Sequence, residues 1–176
     1  MRRAAWLALL LALAALPAPV LAKGDAFAPP PAPGAPDVLV GRARVVDGDT
    51  LDIRGVRIRL HGVDTPERGQ TCTRDRRRMD CYAAATQALE HLIGRSEILC
   101  SWVGDGGFGR VAARCWVGRT ELGAWMVWAG WAIVARRYTQ DPLHLRYEAE
   151  ARAERRGVWA DPRFIPPDEW RGGRRR

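Results

Sequence analysis

The sequence has no apolar run of membrane-spanning length beyond its first residues, no internal repeat, no Cys-x-x-Cys pair and only 3 histidines, none at zinc-ligand spacing. Each absence removes a class of protein. A spanning helix needs about 20 apolar residues, so the body of the chain holds no candidate for one. Structural zinc sites and zinc-hydrolase centres need clustered thiolates or imidazoles, which this spacing does not supply. His61, His91 and His144 are scattered, with no His-x-His or His/Asp pair to support histidine acid–base catalysis. Lysine is nearly absent too, represented by Lys23 alone, so the positive charge is carried almost wholly by arginine.

Met1-Arg2-Arg3, the apolar run from Ala4 to Leu16 and the small residues around Ala22 have the layout of a secretory signal peptide over 1–22. An uncleaved N-terminal anchor shares this chemistry and is the alternative. Residues 23–37 carry five closely spaced prolines and read as a stiff linker. Residues 38–160 are long enough for one domain with a true core, and 161–176 form a C-terminal extension with a basic tail, Arg174-Arg175-Arg176. The formal net charge is +8, and +6 once Arg2 and Arg3 leave with the signal, a balance that favours polyanionic partners. The expected location is therefore secreted or periplasmic, as a monomer with no stable membrane insertion. In that oxidising setting Cys72, Cys81, Cys100 and Cys115 point to disulfides. Three pairings are possible; local geometry favours Cys72 with Cys81 and Cys100 with Cys115.

Strands are predicted over Val38–Val46 and Val56–Leu60, separated by an Asp47-Gly48 turn, and again over Glu97–Val103 and Val111–Val117. Asp80 is a helix cap before Ala85, Leu89, Leu92 and Ile93, with Gly94 as the stop. Leu122, Trp125, Met126 and Ala129 recur at helical spacing, and a last helix opens at Asp141-Pro142 and closes at Gly157. The resulting class is α+β, mainly β, with five strands and three helices. Gly104-Asp105-Gly106-Gly107-Phe108-Gly109 matches the dinucleotide fingerprint in letters, but a β-like run follows it where a helix is required, so it reads as a hairpin turn.

The chemistry concentrates between Asp47 and Glu67. Val46-Asp47-Gly48-Asp49-Thr50 and Arg59-Leu60-His61-Gly62-Val63-Asp64-Thr65-Pro66-Glu67 place several acids and an arginine around tight turns. Carboxylate oxygens suit a hard cation, a phosphodiester needs its charge neutralised, and an attacking water needs a nearby base. Arg59 and Asp64 are separated by an odd interval that would put them on opposite faces of a flat strand, so a bend at Gly62 is required. Arg110, after the glycine-rich turn, is a second rigid fork able to reach the same phosphate.

These motifs, in this order and spacing from Val38 to Trp159, resemble the thermonuclease (staphylococcal nuclease-like) family. The resemblance implies a five-stranded OB-fold barrel with three packed helices. It implies Ca2+ held by Asp49, Asp64 and the carbonyl of Thr65, with Asp47 as a supporting acid behind them. Glu67 would activate or orient water, and Arg59 and Arg110 would clamp the phosphate. The expected reaction on DNA or RNA cleaves P–O5′ and leaves a 3′-phosphate. Tyr138 aligns with a family tyrosine near the nucleotide base, but its neighbouring tyrosine position is Arg136 here. The glycine turn is one residue longer and lacks the family's lysine, and His61 stands where the family has a packing residue. A catalytically inactive OB-fold module that binds single strands is the alternative, against which the full set of acids and arginines argues.

Overall fold

The computed structural model describes residues 31, 34 and 37–173. The signal peptide expected over 1–22, most of the proline-rich linker and Arg174–Arg176 lie outside the described residues. In chain order the elements are β1 (Val38–Arg42), β2 (Arg44–Asp47), β3 (Thr50–Ile53), β4 (Val56–Leu60), β5 (Val63–Asp64), β6 (Thr71–Arg74), β7 (Arg77–Asp80) and α1 (Cys81–Ile93). There follow β8 (Glu97–Gly107), β9 (Arg110–Val117), β10 (Thr120–Glu121), α2 (Leu122–Trp128), β11 (Ile133–Val134), α3 (Pro142–Ala153), a 3-10 turn (Gly157–Ala160) and α4 (Pro167–Gly173).

The main sheet runs β1-β8-β9-β4-β3-β2, with β10 appended to β9. Its two ends, β1 and β2, are separated in sequence by Ala43 alone, so they are halves of one bent segment whose first half pairs with β8 and second with β3. The sheet therefore curls into an OB-like, barrel-like shape without a hydrogen-bonded seam among the described residues. A tight hairpin joins β3 to β4 through Arg54 and Gly55, both at positive φ (54° and 83°), the left-handed pair that matches strand twist. Alternation then does the rest: Leu51, Ile53, Ile58 and Leu60 point inward and are fully or almost fully buried. Burying each such side chain is worth about 1.5 to 3 kcal/mol.

The helices cover this core. Asp80 caps α1 by accepting from the Ala83 amide at 2.9 Å, and Gly94 ends it, as the sequence predicts. Ala85, Leu89 and Ile93 bury the inner face, and Leu122 and Met126 of α2 join the same cluster. Asp141 caps α3, but the helix ends at Ala153, short of Gly157. Gly157 instead permits a backbone crossing: a Cβ there would lie 2.2 Å from the Gly130 carbonyl oxygen, so no side chain fits between the two segments. Helix α4 is one more than the three expected.

Both favoured disulfides are present, Cys72–Cys81 and Cys100–Cys115. Cys100 and Cys115 face each other in the β8–β9 ladder. Cys72 and Cys81 brace the foot of the β6–β7 hairpin beside Val158. Non-reducing peptide mapping should return these two linked pairs, and each loop closure should contribute about 2 to 3 kcal/mol. Crossed pairs or free thiols would contradict the arrangement.

Candidate active site

Two short turns bring the acids together. At the β2–β3 turn the Asp47 carboxylate accepts from the Asp49 amide at 3.2 Å, and the Asp49 carbonyl accepts from the Leu60 amide at 2.8 Å, which fixes Asp49 beside β4. Gly48 allows this turn to lie against Thr65, whose Oγ1 would be 3.0 Å from any Cβ added there. Past β4 the chain bends at His61-Gly62, with Gly62 at φ 77° and pressed against Thr139, so that a Cβ would meet Thr139 Cγ2 at 2.7 Å. The bend turns Asp64, on β5, back towards Arg59 despite the odd interval between them.

The Arg59 guanidinium consequently lies 3.0 Å from Asp49 Oδ2 and 2.9 Å from Asp64 Oδ1. Both acids are nearly buried, at 5% and 6% exposure, whereas Glu67, three residues after Asp64, is partly open. Burial raises the Asp49 pKa to about 7; Arg59 opposes that shift, while Asp47 and Asp64 add to it. Burial alone would lower the pKa of Arg59, but Asp49 and Asp64 more than offset it and hold the guanidinium above its ordinary value.

A divalent cation fits this donor set. The donors are hard carboxylate oxygens, and an acid as costly to ionise as Asp49 is what an added positive charge would relieve. Among the described residues no three His, Cys, Asp or Glu side chains converge on one point, so the protein's share would be the two carboxylates and a backbone carbonyl such as that of Thr65. Water would complete the shell.

The acids open into a cleft of about 990 Å3 that also exposes Tyr82, Phe108, Arg110 and Tyr138. Arg110 stands on its wall rather than in the acid cluster, donating from Nε to the Gly107 carbonyl at 3.1 Å and from Nη2 to the Gly106 carbonyl at 3.2 Å. Tyr138 is 64% exposed at the rim. Arg136 is committed elsewhere, bonded to the buried Glu148. His61 lines the cleft, its pKa lowered by burial and by Arg114.

A further guanidinium enters from the far end of the chain. Arg171 of α4 donates from Nη2 to Asp64 Oδ2 at 2.6 Å, from Nη1 to Asp64 Oδ1 at 3.1 Å, and from Nη1 to Glu67. Its pKa is raised, chiefly by the bond to Asp64 against the effect of burial, with Glu67 adding to it. The loop below is tied to the same C-terminal segment: Gln70, almost fully buried, accepts from the Glu67 amide at 2.9 Å and donates to the Ile165 carbonyl at 2.6 Å.

Residues 57–161 match the family model described as Staphylococcal nuclease homologue. The chain belongs to the staphylococcal nuclease family. At the level of the family it is a nuclease, a hydrolase of phosphodiester bonds. Relatives include the protein named Micrococcal nuclease from Shigella flexneri, 32% identical over 143 residues covering 73% of this chain and 77% of the relative. Another, Protein ParB from Escherichia coli, is 32% identical over 73% of this chain and 76% of its own length. A protein named Uncharacterized endonuclease from Escherichia coli is 30% identical over 73% of this chain and 81% of its own length.

Within this nuclease the bend joins Asp49, Arg59 and Asp64 into one cluster, Thr65 and Glu67 border it, Asp47 shapes its turn, and Arg110 and Tyr138 line the same cleft. Sequence spacing singles out neither Arg171 nor Gln70. The signal for α4 is Pro167 followed by Asp168 and Glu169, a proline and two acids in a first helical turn.

Proposed function

We propose that this nuclease is an exported, calcium-dependent enzyme that hydrolyses DNA or RNA at P–O5′ and leaves 3′-phosphates. The observation that carries the reading is the near-buried pair Asp49 and Asp64 sharing Arg59 at the floor of a cleft lined by Arg110. Bound calcium would neutralise charge at the scissile phosphate and hold water near it. Asp49, Asp64 and the Thr65 carbonyl would hold the ion, with Asp47 keeping the turn in shape. Glu67, partly open to the cleft, orients a water and takes its proton as oxygen attacks phosphorus. The P–O5′ bond breaks, and the leaving 5′-oxygen acquires a proton from solvent. Arg59 and Arg110 neutralise the equatorial oxygens as charge builds on them. Tyr138 offers an exposed ring to a base. Export to an oxidising compartment is supported by the two disulfides; among the described residues no helix is long and apolar enough to cross a membrane.

End-group analysis tests the reaction. Digests of single-stranded DNA, duplex DNA and RNA with calcium should carry 3′-phosphate and 5′-hydroxyl ends. Products with 5′-phosphates would overturn the assignment of the broken bond, and binding without any products would favour the inactive binding module.

A further inference from the structure

We infer that Arg171, from the C-terminal helix, is a built-in counter-ion of the acid cluster that a divalent cation must displace from Asp64. The inference rests on the reading of Asp49 and Asp64 as metal ligands and goes beyond it by assigning a role to the chain's last helix. Its basis is occupancy. Asp64 Oδ2 is taken by Arg171 Nη2 at 2.6 Å, and Asp64 Oδ1 is shared between Arg59 Nη2 at 2.9 Å and Arg171 Nη1 at 3.1 Å. Both oxygens of the carboxylate therefore face guanidinium groups, and Arg171 also bonds Glu67.

A divalent ion on Asp64 would sit against the Arg171 charge at close range, and two cations that near repel one another. Arg59 cannot yield as easily, since it is held between two nearly buried acids. Arg171 can: its side chain is 36% exposed and sits on a short terminal helix, so leaving the site returns it to water. The helix is tethered just upstream, where Ile165 accepts from Gln70 and Asp161 accepts from the Thr73 amide at 2.7 Å. Release is then local, limited to residues 167–173, with the anchor at 161–165 kept.

Asp49, Asp64 and Glu67 face Arg59 and Arg171, which lowers the repulsion among them. Calcium binding exchanges one internal cation for one external ion. The exchange makes apparent calcium affinity weaker than the bare oxygen donors would give, by the factor needed to open the Arg171 contact.

Calorimetric titration of calcium, without nucleic acid, into the parent, Arg171→Gln and Arg171→Lys tests this. Arg171→Gln should bind calcium on the order of tenfold more tightly, the change one lost competing charge pair produces. Arg171→Lys, which keeps the charge without the fork, should fall between. Hydrogen exchange on the unaltered protein gives an independent reading, with calcium speeding exchange of amides in 168–173 and leaving α1 unchanged. Equal or weaker calcium affinity in Arg171→Gln, or calcium-induced protection of 168–173, would overturn the inference. Failure of the metal reading itself looks different, with no calcium heat in either the parent or Arg171→Gln.

Discussion

Glu67→Gln should cut phosphodiester hydrolysis by roughly 10² to 10⁴ while leaving calcium-dependent binding of a single-stranded oligonucleotide nearly unchanged. Glutamine keeps the size of the side chain and one acceptor oxygen but cannot take a proton at neutral pH. The contacts of Asp49, Arg59 and Asp64 run directly between those three residues, and Arg171, which bonds Glu67, also holds Asp64 through two bonds of its own. The backbone of residue 67 stays fixed through its amide bond to Gln70, so the loop should hold its course in the variant. A fall in turnover with intact binding is what loss of a positioned base produces, and it is read by single-turnover cleavage beside fluorescence anisotropy. Equal cleavage rates for the variant and the parent would remove Glu67 from the chemistry.

Much of this site is legible in the sequence because it depends on local turns. The odd interval between Arg59 and Asp64 demands a bend, and Gly62 supplies it at positive φ against Thr139. The caps at Asp80 and Asp141 mark helix starts through short-range bonds to Ala83 and Leu143. Gly157 misleads for a physical reason: its missing side chain serves a backbone crossing with Gly130 rather than a helix stop, and such a crossing leaves no local trace. The hairpin of β6 and β7 looks like a loop in sequence because Thr71 to Asp80 is dominated by arginine and lacks alternation; the disulfide at its foot and the Asp161 bond to the Thr73 amide hold it in place.

Arg171 is hidden by distance. It meets Asp64 across 107 residues of chain, and nothing in the spacing of a seven-residue helix says which carboxylate its one arginine will find. The same limit applies to the parallel pairing of β4 with β9, which sets Arg59 beside Ala112 and so places the Arg110 turn at the cleft wall. Hydrophobic periodicity assigns elements and faces, whereas these partnerships depend on how the whole sheet curls.

The second large effect concerns the metal. Asp64→Asn removes a carboxylate charge from a donor set that has only two, and leaves Arg59 and Arg171 short of a partner. Calcium binding should weaken and cleavage should fall by roughly 10² or more, since charge neutralisation at the phosphate is worth several kcal/mol. Asp49→Asn should act in the same direction, since it removes the other carboxylate of the donor set and one partner of Arg59. The measurement that bears most directly on metal-assisted hydrolysis is the cleavage rate of single-stranded DNA by the unaltered nuclease in excess calcium and in excess EGTA, with Asp64→Asn run in parallel. Rapid cleavage in calcium, background rates in chelator and a near-background rate for Asp64→Asn are expected; undiminished hydrolysis in EGTA, or an Asp64→Asn variant as fast as the parent, would contradict it.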